Sequence, residues 1–293
     1  MYDKNKNVEG KTKDILESVR GLNFKEHFGC IPKSIMKFKK EPKLMELIDW
    51  DNSELGKVEG DARKRGGGYA SKLRYSIYNP SQAYFILDYY TRENDLILDP
   101  FMGRATRPLV SQLLKRRYIG FDTSSKTIEL NTKLLKEKFS EQSWELYNSS
   151  GTSLRPFESN SEYFDAVFTC PPYYDVEKYS GEAGDLSHLS YDDFNNEIKL
   201  MFKNLYRLIK TSSYKEMKFF PVIFTVGSVR RGNKGIIDMD YVFQMYAKDA
   251  GFVLYDKLFT ENVTPGAGFT FRRNYAYRFL TKNYETTLVF MKF

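Results

Sequence analysis

The chain has 293 residues, 41% of them hydrophobic and 28% charged, enough apolar material for one large domain or one domain with an appendage. Only two cysteines (Cys30, Cys170) and two histidines (His27, His188) are present, which excludes a disulfide framework, a Cys-rich zinc site and most His-based chemistry. The net charge of +7 suits a polyanionic partner, and no apolar run approaches the length of a membrane span, so the expectation is a cytoplasmic protein with no membrane partner and no metal.

In chain order, Met1 to about Arg20 is polar and Lys-rich. Leu22 to Trp50 is basic with scattered hydrophobes (Ile31, Ile35, Met36, Phe38, Leu44, Leu47) and reads as short helices punctuated by Pro32 and Pro42. Arg63, Lys64, Arg65 and the glycines Gly66 to Gly68 make a basic loop that serves equally as a phosphate contact or a linker. The division expected is an N-terminal basic appendage over residues 1–70 and a main domain over residues 71–293.

Asn79-Pro80 opens a helix, Ser81 to Tyr90, with Ala83, Tyr84, Ile86, Leu87 and Tyr90 on one face. Asp95-Leu96-Ile97-Leu98-Asp99 then suits a fully buried strand of a parallel sheet. It runs into the turn Pro100-Phe101-Met102-Gly103-Arg104-Ala105-Thr106. A helix follows with Pro108 in its first turn, where a missing N–H costs nothing. Tyr118 to Asp122 is a second strand ending in an acid, 122 − 99 = 23 residues beyond Asp99. In nucleotide-binding βαβ units an acid about 20 residues on takes the ribose hydroxyls, and that spacing favours this role. Asp is also common as the cap of a helix that follows a strand.

Further on, Lys126 to Phe139 is a helix, Trp144 to Leu146 a short strand and Tyr163 to Thr169 a buried one. A helix from Tyr191 to about Lys210, the strand Val222 to Val226, a helix from about Tyr241 to Ala250 and the strands Phe252 to Phe259 and Thr286 to Met291 complete the pattern. Alternating strands and helices predict an α/β, doubly wound, mostly parallel sheet. The strand ending at Thr169 runs directly into Cys170-Pro171-Pro172-Tyr173. Two prolines donate no backbone hydrogen bond and fix an extended turn whose carbonyls are free to accept. With the Tyr173 ring beside them, that turn suits a planar group carrying an exocyclic amine.

Taken together, Asp99-Pro100-Phe101-Met102-Gly103 and Thr169-Cys170-Pro171-Pro172-Tyr173 resemble the motifs of the S-adenosylmethionine-dependent DNA amino-methyltransferases, which make N4-methylcytosine or N6-methyladenine. Tyr173 to Ser180, Asp185 to Ser187, Ser190 to Phe194 and Phe224 to Arg230 are similar to a branch found in phages and prophages. The resemblance covers residues 75 to 293 and implies a Rossmann-like methyltransferase sheet with an antiparallel C-terminal strand. It implies S-adenosylmethionine as cofactor, held by Asn79, Pro80, Asp99, Pro100, Phe101, Met102, Gly103, Arg104, Ala105, Thr106, Asp122, Thr123, Thr152 and Ser153. It also implies a catalytic turn at Thr169, Cys170, Pro171, Pro172 and Tyr173 acting on a flipped base of double-stranded DNA.

Four positions depart from the family pattern. Arg104 and Ala105 replace small Ser and Gly, Thr152 replaces an acid that takes the adenine amine, and Cys170 replaces Ser, Asp or Asn. Arg272, Arg273 and Arg278, set among Phe269, Phe271, Tyr275, Tyr277 and Phe279, are the candidates for DNA contact, by base edges or by phosphates. An RNA base amino-methyltransferase and a nucleic-acid-binding protein on a decayed methyltransferase scaffold are the alternatives.

Overall fold

The structure, a computed structural model, describes residues 24–28, 31–39, 41–47, 78–141, 143–172, 184–230, 235–261, 275–280 and 283–293. The motif-bearing part begins with a helix, α3 (Pro80–Tyr90). Asn79 caps it by accepting from the N–H groups of Ser81 and Gln82, and Pro80 stands at its first position. Then come β2 (Leu96–Asp99), α4 (Thr106–Leu113), β3 (Arg117–Asp122), α5 (Ser125–Lys138), β4 (Trp144–Asn148) and β5 (Ala166–Thr169). The 18-residue helix α6 (Tyr191–Leu208), β6 (Val222–Val226), α7 (Met239–Asp249), β9 (Val253–Glu261) and β10 (Tyr284–Met291) complete the alternation. A small hairpin, β7 (Val229–Arg230) with β8 (Ile236–Ile237), was not anticipated.

With the short N-terminal strand β1 (Ile35–Met36), the main sheet has eight strands in the order β1-β9-β10-β6-β5-β2-β3-β4. Only β10 runs antiparallel to its neighbours, β6 and β9. This is the doubly wound, Rossmann-like methyltransferase sheet that the sequence predicts. Successive strand residues face opposite sides: Leu96 and Leu98 enter one apolar cluster while Ile97 enters the other. Helix α6 covers the first cluster through Phe194, Ile198, Met201, Phe202, Leu205 and Leu208, a helical-period stripe whose members are each completely buried. Each such side chain contributes about 1.5–3 kcal/mol. The second cluster packs α3 and α4 against the other face through Ile86, Leu87, Leu109 and Val110.

The strand expected from Tyr163 begins only at Ala166. Asp165 turns its carboxylate to the Leu96 N–H (2.8 Å) and to Lys210 Nζ (2.6 Å) while its own N–H donates to the Leu96 carbonyl (3.1 Å), so a side chain supplies one of the two bonds a regular ladder would make here. Phe164 makes a single bridge with Ile209. In the N-terminal part, α1 (Phe24–Phe28) and α2 (Pro42–Leu47) flank the short strand β1 (Ile35–Met36). The short helices were expected, and the strand between them was not. β1 pairs in parallel with Phe259 and Thr260 of β9 and extends the main sheet by one strand.

Candidate active site at the carboxyl edge of the sheet

Strands β2 and β5 are direct neighbours, with Leu98 paired to Val167, so the turns that follow Asp99 and Thr169 emerge side by side. They are also bonded to each other. The Thr169 hydroxyl donates to Asp99 Oδ1 (2.6 Å) and accepts from the Phe101 N–H (3.1 Å). Two motifs 169 − 99 = 70 residues apart in sequence thus share one hydrogen-bonded junction.

Asp99 is completely buried and its carboxylate is fully occupied. Oδ1 accepts from Thr169 and from the Phe101 N–H (3.2 Å), and Oδ2 accepts from Arg107 Nε (2.6 Å) and the Tyr118 hydroxyl (2.7 Å). A second Arg107 nitrogen reaches Oδ1 at 3.4 Å. Burial, followed by the adjacent Asp99 charge, pushes the Tyr118 hydroxyl well above the usual tyrosine range and keeps it a donor. Asp99 therefore organises the turn from beneath, and its oxygens have no capacity left for a ligand.

The turn itself reverses at Gly103, whose φ of +54° lies in the left-handed region that glycine enters at little cost. Its N–H donates to Asp122 Oδ2 (3.0 Å) and its carbonyl accepts from Asn131 Nδ2 (2.8 Å). Asp122 stands at the end of β3 and accepts a second N–H, from Ser124 (2.8 Å). Helix α5 is capped by Ser124, whose hydroxyl accepts from the Thr127 N–H, so Asp122 is not the cap that its position allowed. Burial raises the Asp122 carboxyl to about 6. The N–H groups of Ser124 and Gly103 oppose that shift, and the charges of Asp99 and Asp185 add to it.

A third wall comes from Asn148 to Ser153. Gly151 is packed against Pro100: a β-carbon there would lie 1.9 Å from the Pro100 carbonyl oxygen. Thr152, 1% exposed, donates its hydroxyl to Glu197 of α6 and sits 2.8 Å from Ser150 Oγ. Asn204 of α6 donates to the carbonyls of Thr152 (2.9 Å) and Ser153 (3.1 Å). Helix α6 thereby brings a carboxylate to the place where Thr152 stands in lieu of an acid. Gly184 closes over this wall, facing Ser150 and Thr123.

The other expected positions divide as follows. Pro100, Phe101 and Met102 form the turn described, and Thr123 follows Asp122 with its carbonyl accepting from Asn148 (2.8 Å). Asn79 uses both ends of its side chain, capping α3 and donating to the Phe38 carbonyl (3.3 Å), while Pro80 is buried. Arg104 is half-buried, and Ala105 and Thr106 are buried. Cys170 is half-buried, Pro171 buried and Pro172 half-buried. Tyr173, Arg272 and Arg273 lie outside the described residues. Arg278 is exposed, its guanidinium 4.4 Å from the centre of the Tyr275 ring. Arg107, Tyr78, Gly151, Glu197 and Asn204 were not anticipated. Glu197 could have been suspected, as a charge one helical turn from Phe194 and Met201 on the apolar side of α6.

The edge fits a nucleoside-bearing cation such as S-adenosylmethionine. It offers half-buried carboxylates at Asp122 and Glu197 and the ring of Phe101. Two buried hydroxyl oxygens, Thr106 Oγ1 and Ser149 Oγ, have no hydrogen-bond partner among the described residues. A buried polar atom left unmatched is costly, and a bound ligand is one way to match it. Among the described residues no group of His, Cys, Asp and Glu could hold a metal ion, and no helix is long and apolar enough to cross a membrane.

Residues 4–133 match the family of DNA methylases, a stretch that holds the Asp99–Gly103 turn and Asp122 and stops short of Thr169. No curated protein matches the chain. Among solved structures, a [4+2]-cyclase, SpnF, superposes with a TM-score of 0.50 at 12% identity, over 89% of this chain and 99% of its own. An S-adenosylmethionine-dependent methyltransferase from Methanosarcina mazei gives a TM-score of 0.47 at 14% identity, over 71% of this chain and 96% of its own. The matched stretch and the order of the sheet together identify this chain as one that resembles the S-adenosylmethionine-dependent DNA methylases and has the Rossmann-like methyltransferase fold.

Proposed function

We propose that this protein transfers a methyl group from S-adenosylmethionine to the exocyclic amine of a flipped cytosine (N4) or adenine (N6) in double-stranded DNA. The observation that carries the reading is the junction of the two turns, Thr169 hydroxyl to Asp99 and Phe101. It sets a cofactor turn and a rigid, donor-poor Pro171-Pro172 turn next to each other at the carboxyl edge, where open α/β sheets take their ligands.

The bound cofactor supplies an electrophilic methyl group, so the protein has little acid–base work to do. Asp122 in its ionised form accepts the ribose hydroxyls, Phe101 packs against the adenosine, and Glu197 faces the amine end of the purine ring. On the other side, the carbonyls of the Cys170–Pro172 turn accept the hydrogens of the substrate amine and leave its lone pair directed outward. Thr169 Oγ1 is engaged elsewhere, so its part is to hold that turn in place. Tyr173 stacks on the flipped base and offsets part of the cost of unstacking. Arg272, Arg273 and Arg278 engage the DNA backbone or base edges. Cys170 makes no covalent bond to the ring, because methylation of an exocyclic amine requires none.

The deciding experiment incubates the protein with methyl-labelled S-adenosylmethionine and either duplex DNA or total RNA, then digests each to nucleosides. Label in N4-methylcytosine or N6-methyladenine from DNA supports the proposal and names the base. Label in RNA alone replaces DNA with RNA as substrate. Cofactor binding without transfer to either indicates a decayed scaffold.

A further inference from the structure

Arg107 is 4% exposed, in the first turn of α4, and its hydrogen bonds go to Asp99, Phe101 and Met102 at the turn that follows β2. Its Nε and Nη2 grip the Asp99 carboxylate, and Nη2 also donates to the carbonyls of Phe101 (2.5 Å) and Met102 (3.0 Å). The guanidinium is flanked by rings, 5.3 Å from the centre of Tyr78 and 5.9 Å from that of Phe168, the residue before Thr169. Tyr78 in turn donates to or accepts from Thr225 Oγ1 of β6 (2.8 Å). From its other side the same carboxylate is held by Thr169.

A buried ion pair is seldom the cheapest way to hold a fold together, since apolar groups of the same volume often do as well. What the pair adds is direction: a planar fork fixes the angle and distance of everything it binds, which an ammonium point charge cannot do. Here the fork pins the main chain of the cofactor turn at two carbonyls. Through Asp99 it also pins Thr169, the last residue of β5, which leads directly into the Cys170–Pro172 turn. We propose that Arg107 is a positioning residue that, through Asp99 and Thr169, sets the spacing between the methyl-donor turn and the methyl-acceptor turn. The inference rests on the methyltransferase reading and specifies what keeps its two subsites in register. Transfer between bound partners needs the reacting atoms about 3–3.5 Å apart and aligned, and a displacement of about 1 Å costs on the order of 100-fold in rate.

Four proteins test this: the wild type, Thr169→Val, Thr169→Ser and Arg107→Lys. For each, cofactor affinity by calorimetry, melting temperature, KM for duplex DNA and single-turnover rate at saturating cofactor are measured. Thr169→Val keeps shape and removes only the hydroxyl link. It should bind cofactor within about threefold of wild type and lose on the order of 100-fold in rate with KM unchanged. Thr169→Ser restores the link and should recover most of that rate. Arg107→Lys should lose at least as much, and if it does not fold the threonine pair still decides. A rate loss that merely follows the fraction of protein folded or cofactor-bound, or a Thr169→Val protein within threefold of wild type, overturns the inference alone. A wild type that binds no cofactor and methylates nothing overturns the methyltransferase reading with it.

Discussion

Replacing Gly151 by alanine probes the site through a contact that is entirely main chain. The new β-carbon would lie 1.9 Å from the Pro100 carbonyl oxygen, 2.6 Å from its carbonyl carbon and 2.7 Å from its α-carbon. Ordinary contact needs about 3.5 Å, so the two segments must part by roughly 1.5 Å. Neither can yield freely. On one side Phe101 and Met102 are held by Asp99, Thr169, Phe121 and Arg107; on the other Thr152 and Ser153 are held by Glu197 and Asn204. Overpacking of this kind costs about 1–3 kcal/mol, which at about 2–4 °C per kcal/mol lowers Tm by roughly 2–12 °C. The separation falls between the cofactor turn and its third wall, so affinity for S-adenosylmethionine should drop more than tenfold. Gly103→Ala is the matched control. Space there is open, the nearest atom being the Phe101 carbonyl oxygen at 4.0 Å, and only the left-handed backbone opposes the substitution, at about 1–2 kcal/mol. Thermal melting and calorimetry on both variants rank them. A Gly151→Ala protein with wild-type Tm and wild-type affinity, or one less affected than Gly103→Ala, would refute the reasoning.

Asp122 predicts opposite pH trends for the fold and the ligand. Its folded carboxyl is raised to about 6, so its protonated form stabilises the ligand-free fold below the ordinary carboxylate range, and that contribution is lost as pH rises through 6. Melting of wild type relative to Asp122→Asn should therefore decline between about pH 4 and 6. Cofactor affinity should climb over the same interval and then level off, and a flat affinity profile would remove Asp122 from the ribose. DNA affinity should weaken with salt, and removing Arg272 and Arg273 together should reduce the log–log slope by about 2 if both touch phosphate. An unchanged slope with relaxed site preference would mean that they read bases. Tyr173→Ala should slow methylation by tens-fold, since stacking is worth about 1–3 kcal/mol per base, while Tyr173→Phe retains most activity. A stable, fully active Tyr173→Ala protein would end the stacking role.

What could be read from the sequence was local or periodic. Leu96, Ile97 and Leu98 between two aspartates gave the central strand, Asn79-Pro80 gave a helix start, and the stripe from Phe194 to Leu208 gave the long helix. The tasks of individual side chains were harder, because they depend on which strands lie next to each other. Asp99 was expected at the cofactor, and nothing in its local sequence showed that it is also the knot to which Arg107, Tyr118 and Thr169 are tied. Nothing within ten residues of Asp99 announces Thr169. Glu197 reaches Thr152 only because α6 crosses beneath the Ser150–Ser153 turn, a crossing no spacing rule encodes. The need for glycine at 151 likewise arises from Pro100, fifty-one residues earlier (151 − 100 = 51). Strand β1 is only two residues long, too short for any alternation to register.

That two-residue strand also has a consequence in time. Ile35 pairs with Phe259, 259 − 35 = 224 residues further along the chain. A ribosome adding about 5–20 residues per second needs roughly 10–45 s to make the intervening stretch. The first strand among the described residues is thus held without its partner until those 224 residues have been made. The central strands β2 and β3, separated by one helix, can pair long before. Closing so long a loop adds little to the entropic cost, which grows only as the logarithm of length. β1 therefore docks late on the outer edge of an already formed sheet, beside β9, and hydrogen exchange at Met36 and Phe259 during refolding should become protected after Leu98 and Ile119.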